Sequence, residues 1–121
     1  MTVIKEEIKK VIDMGELLPS DKIVGGLKTV TVLEGKENEF ESLFIELAAK
    51  VRDHDKECNY YDLYKSKQSR TYLVMEQYEN SNALQRHQKS DYGKYYFPKI
   101  RELLENIDVN YFECTTRMKS V

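Results

Sequence analysis

The apolar residues of this chain change their period in a fixed order, and that order constrains its fold more than any other feature. Leu27-Lys-Thr-Val-Thr-Val-Leu33 is rich in β-branched residues and is followed by Gly35, which predicts a strand. From Glu37 to Arg52 the period lengthens. Phe40, Leu43, Phe44, Leu47, Ala48 and Val51 recur at i, i+3, i+4 and i+7, the stripe of an amphipathic helix with one buried face. Two strands follow, Cys58 to Lys65 and Thr71 to Tyr78, flanking the polar link Ser66-Lys-Gln-Ser-Arg70 of an antiparallel hairpin. Asn80 or Ser81 can cap a short helix through Gln88, and Ser90 or Asp91 can cap another through about Glu105. Pro98 predicts a kink or break near Phe97, and Ile107 to Thr115 closes the chain as a strand.

The order is β-α-β-β-α-β, the split βαβ pattern of a ferredoxin-like α+β fold. Its usual strand order is 4-1-3-2, with the second and fourth strands at opposite edges. Cys58 and Cys114 then lie too far apart for a disulfide, which needs Cα atoms within ~7 Å. Both read as small buried apolar groups.

Ahead of this pattern Ile4, Ile8, Val11 and Ile12 recur at helical spacing, with Thr2 as a cap and Gly15 as a stop. The loop Glu16 to Gly26, with Pro19 and Gly25-Gly26, separates this helix from the rest. The expected division is a helical arm over 1–25, a main domain over 26–116 and a tail over 117–121. The arm's apolar stripe can pack across a partner subunit, lid a cavity or cover its own subunit.

A chain of 121 residues suits one domain. Its charge is balanced, with 33% charged residues and a formal net of −2, so neither nucleic acid nor a membrane surface is an expected partner. The chain carries no apolar run near the ~20 residues of a membrane span, and its N-terminus lacks the order of a secretory signal. A cytoplasmic location is expected. Two cysteines do not make a disulfide scaffold, and no His/Cys/carboxylate spacing predicts a metal site. Gly25-Gly26 does not make a phosphate loop or a dinucleotide fingerprint.

Two ionisable residues stand out in what remains. Alternation along Thr71 to Tyr78 puts Tyr72, Val74, Glu76 and Tyr78 on one face, with Leu73 and Met75 on the other. If helices cover the first face, burial raises the pKa of Glu76 unless a cation or hydrogen bonds offset it. His87, one turn beyond Ala83 and Leu84, can point back at the same face. One reading makes His87 a general base oriented by Glu76. The other is a structural His–Glu hydrogen bond that ties helix to strand. Nine tyrosines and no tryptophan supply aromatic walls, and Tyr61 and Tyr78, then Tyr72 and Tyr96, are the candidates for substrate contact. Most of the others read as core or interface residues. His54, among Arg52, Asp53, Asp55 and Lys56, reads as exposed and idle.

The ordered set Cys58-Asn-Tyr-Tyr-Asp-Leu-Tyr64, Tyr72-Leu-Val-Met-Glu-Gln-Tyr78 and Ala83-Leu-Gln-Arg-His87 resembles the antibiotic biosynthesis monooxygenase (ABM) family. The likeness covers about residues 27–114. It implies a homodimer in which two four-stranded sheets pack face to face as a dimeric α/β barrel. It also implies a cofactor-independent monooxygenase acting on a small quinol-like or polyphenolic molecule, using neither flavin nor metal, with His87 as base and Glu76 as its orienter. Some oxygenating members carry tryptophan where Tyr78 stands and asparagine where Val74 stands; here both differ. An isomerase of a small carbonyl compound and a non-catalytic ligand-binding dimer are alternatives on the same fold.

Overall fold

The computed structural model describes residues 21–117. The expected N-terminal helix and the residues beyond 117 lie outside the described residues. Seven elements follow in order: β1 (Val24–Val32), α1 (Glu37–His54), β2 (Cys58–Lys65), β3 (Thr71–Tyr78), α2 (Ser81–Gln88), α3 (Asp91–Arg101) and β4 (Leu104–Glu113). The four strands make one antiparallel sheet in the order β2-β3-β1-β4. This is the ferredoxin-like arrangement, with β2 and β4 at the edges, and Cys58 and Cys114 are both free thiols.

One face of the sheet carries the core. Val30, Val32, Tyr61, Tyr72, Val74, Leu104 and Ile107 pack there with Phe40, Phe44, Leu47, Ala48 and Val51 of α1 and Tyr96 of α3. Burying each large apolar side chain contributes roughly 1.5–3 kcal/mol, so the α1 stripe alone gives the helix a firm reason to dock. A second cluster joins Val24, Tyr78 and Tyr111 at one end of the sheet to Ala83 and Leu84 of α2.

Two boundaries differ from the sequence reading. β1 begins at Val24, not Leu27, because Val24, Gly25 and Gly26 each have partners on both β3 and β4. Ladder pairing on two sides overrides the loop preference of a glycine pair. At the other end, α3 runs through Pro98 but stops at Arg101, and β4 starts at Leu104 rather than Ile107. The sequence reading, from a cap at Ser90 or Asp91, extends the helix to about Glu105. The Leu33 amide, however, donates to the Leu103 carbonyl at 2.8 Å, and Val32 pairs with Leu104, so the sheet captures the chain there.

Candidate functional site

His87 is placed by a short, well-capped helix. The Asn80 side chain accepts from the Ala83 amide at 2.8 Å and starts α2 at a defined point. Ala83, Leu84 and His87 share the inward side of the helix, since positions three and four apart are neighbours on its surface. His87 is 1% exposed. Its ring lies 5.1 Å from that of Tyr61, 5.4 Å from Tyr78 and 5.2 Å from Phe97.

The two ring nitrogens have different surroundings. Nδ1 lies 2.9 Å from the Tyr92 hydroxyl and 3.3 Å from Asp55 Oδ2, while the Tyr92 hydroxyl donates to the same Asp55 oxygen. Burial pushes the Asp55 pKa up, but hydrogen bonds from His87 and Tyr92 outweigh it and hold the carboxyl below its usual range. An ionised Asp55 only accepts, and the Tyr92 proton is already committed to it. The network therefore assigns the proton to Nδ1, and Nε2 is left as the bare nitrogen. Nε2 is buried and has no hydrogen-bond partner.

Glu76 is fully buried. The Tyr78 hydroxyl donates to its Oε1 at 2.7 Å, and Lys28 Nζ makes an ion pair with Oε2 at 3.1 Å, short of an aligned hydrogen bond. Burial alone pushes the Glu76 pKa up. The Lys28 charge, aided by the Tyr78 hydroxyl, outweighs that and leaves the carboxyl below its ordinary value. Burial likewise pulls the Lys28 pKa down, and Glu76 more than reverses it. Both partners are thus charged. Gly26 makes the arrangement fit, because a Cβ there would stand 2.8 Å from Glu76 Cγ and 2.8 Å from Tyr111 Cε1.

A cavity of ≈ 110 Å³ lies between the sheet and the three helices. Phe40, Phe44, Leu47, Val74 and Ile107 make it apolar, and Lys28, Tyr61, His87, Gln88, Arg101 and Tyr111 bring polar groups to its wall. Among the described residues no cluster of His, Cys, Asp or Glu is grouped to hold a metal ion, and no helix is long and apolar enough to cross a membrane. The arrangement can take a proton from a small apolar molecule and hold the resulting anion near a buried ammonium.

The family model described as antibiotic biosynthesis monooxygenase matches residues 25–98, well over half of the chain. The chain belongs to the antibiotic biosynthesis monooxygenase family. A solved structure from Caulobacter crescentus, described as a candidate antibiotic biosynthesis monooxygenase, is 28% identical with a TM-score of 0.77, over 85% of this chain and 98% of that one. A conserved protein from Bacteroides thetaiotaomicron (23% identity, TM-score 0.73, 78% and 100% covered) has the same fold. So does a protein from Pseudomonas aeruginosa (23%, 0.70, 78% and 96%). No curated protein matches the chain.

In this ABM-family chain the residues singled out from sequence divide into three pairs. His87 and Tyr61 line the cavity, and the Tyr61 ring stacks on Phe44 with centroids 5.2 Å apart. Glu76 and Tyr78 lie behind it as a hydrogen-bonded pair. Tyr72 and Tyr96 do not reach it. Tyr72 is packed on Phe40 and donates to Glu41, and Tyr96 donates to Glu46 at 3.1 Å. Among the described contacts no hydrogen bond joins His87 to Glu76. The carboxylate on His87 is Asp55. Asp55 escapes a sequence reading because it sits in the charged run Arg52 to Lys56 at a helix end, where solvation is the usual expectation. Lys28 left a clearer signal: strand alternation puts it on the same face as Gly26, Val30 and Val32, a lone lysine on an apolar side. His54 is exposed, as expected, beside the Tyr92 ring.

Proposed function

We propose that this chain is a cofactor-independent monooxygenase of a small quinol-like or polyphenolic substrate, with His87 as its general base. One observation carries the reading: His87 Nε2 is buried, bare and unpartnered beside an apolar cavity, while Nδ1 is held by Asp55 and Tyr92. A base locked in one tautomer and screened from water is poised to accept a proton. The substrate hydroxyl gives its proton to Nε2, and Lys28 on the cavity wall stabilises the anion that forms. Glu76 and Tyr78 act through Lys28, as positioning residues. The anion reduces oxygen: one oxygen atom enters the ring, the other leaves as water, and a quinol plus O₂ becomes a hydroxyquinone plus H₂O. Substrate electrons suffice for this balance.

The reading includes a cytoplasmic homodimer. On the sheet face away from the helices, Tyr60, Tyr64 and Phe112 are exposed by 42%, 51% and 51%. Leu27, Leu73 and Met75 lie between them, half-buried. Such a patch calls for a cover, and a second copy of the sheet supplies it.

Oxygen consumption with a panel of hydroquinones tests the chemistry. Wild type is expected to consume oxygen, His87→Ala to lose about 10²-fold or more, and Asp55→Asn, which frees the tautomer, roughly 10²-fold. No uptake with any substrate would sink the oxygenase reading. Proton exchange at a carbonyl compound without oxygen uptake would favour an isomerase instead.

A further inference from the structure

Three buried polar atoms without a partner surround one cavity: His87 Nε2, Gln88 Oε1 and Arg101 Nε. Buried polar groups in native proteins nearly always have partners, so three orphans on a single wall describe the complement of something that binds there. Two of them accept and one donates. Gln88 presents its oxygen because its amide nitrogen faces the Tyr111 hydroxyl at 3.5 Å.

The charges add a second constraint. On the cavity wall Lys28 is balanced by Glu76 behind it, and the neutral His87 adds no charge. Arg101 has no acidic partner among the described residues, so the cavity wall holds one cation in surplus. A cation in the last turn of a helix is often only a complement to the helix dipole. Arg101 differs in that its Nε is buried against the cavity, one turn beyond Phe97 on the same face of α3. Arginine's planar fork takes a carboxylate, as it takes a phosphate, by two parallel hydrogen bonds, and the small cavity favours the smaller of the two.

Size is the third constraint. An engineered dry cavity of roughly 150 Å³ accepts benzene. The ≈ 110 Å³ here is smaller but opens to the surface, so it suits one ring with its substituents at the polar wall and the mouth.

We infer that the cavity takes a single-ring hydroxyaromatic acid, its carboxylate on Arg101 and its hydroxyls on His87 Nε2 and Gln88 Oε1. The placement of the hydroxyl rests on the reading of His87 as base; the carboxylate site does not.

Anaerobic calorimetry on the full chain with three probes of one ring separates these claims: hydroquinone, 2,5-dihydroxybenzoate and its methyl ester. Wild type is expected to bind the acid at least ~10-fold more tightly than the ester or hydroquinone, as a buried charge-assisted pair requires. Arg101→Gln should abolish that preference and leave hydroquinone binding within about 3-fold, while Arg101→Lys should keep part of it. Equal affinity of wild type for acid and ester, or a preference that survives in Arg101→Gln, would overturn the inference. The wild-type comparison decides even if the variants fail to fold. Acid preference without any oxygen uptake would support the carboxylate site and overturn the oxygenase reading alone. His87-dependent uptake with no acid preference would do the reverse.

Discussion

Lys28 and Glu76 show how a buried charge becomes tolerable. Neither could remain ionised alone on an apolar sheet face, and together they hold both pKa values outward from neutrality. Replacing Lys28 by Met strands the carboxylate and should cost about 3–5 kcal/mol at pH 7, read as a shift in urea midpoint. The pH dependence follows from the sign of the Glu76 shift. A lowered native pKa contributes stability that is complete above the ordinary carboxylate range and is lost as pH falls through the lowered value. In Lys28→Met burial is opposed only by the Tyr78 hydrogen bond and raises that pKa, so the penalty should shrink as the pH is lowered from 7 to 4. A penalty that is independent of pH would mean that Glu76 is not the group affected. Gly26 belongs to the same structure. The Cβ of Gly26→Ala meets Glu76 and Tyr111 at 2.8 Å, and overpacking of this kind should destabilise by roughly 1–3 kcal/mol in chemical denaturation. An unchanged midpoint would show that Glu76 can swing aside.

Element by element, the local signals explain α1, β2 and β3 almost entirely, because their apolar spacing is unambiguous and their ends are marked by polar links. α2 depends more on its cap. Eight residues are too few to hold a helix by propensity, so Asn80 and the packing of Ala83 and Leu84 must do it. Asn80→Ala should cost ~1 kcal/mol, and amide exchange in 81–88 should rise more than in the sheet. Uniform acceleration across the protein would indicate a global effect instead. The ends of β1 and β4 were not legible, since Gly25-Gly26 and Leu103-Leu104 carry loop and helix signals that only their strand partners overrule.

For the molecule as a whole, the sheet has one face buried under three helices and one face that the described residues leave uncovered. If the homodimer reading is right, sedimentation at micromolar concentration should show a dimer, and Tyr64→Asp combined with Phe112→Asp should give a folded monomer. A wild-type monomer would leave Tyr60, Tyr64 and Phe112 without an explanation. On this scale the division between sequence and structure is clear. The sequence by itself determined the order of elements, the strand faces and the inward course of His87, because those follow from periodicity between near neighbours. Only the tertiary structure decided that Asp55, 32 residues away, and Tyr92 hold that histidine, that Lys28 answers Glu76, and that Tyr72 and Tyr96 belong to the core. Those partnerships arise where distant segments meet in the packed fold, and no local pattern of residues encodes them.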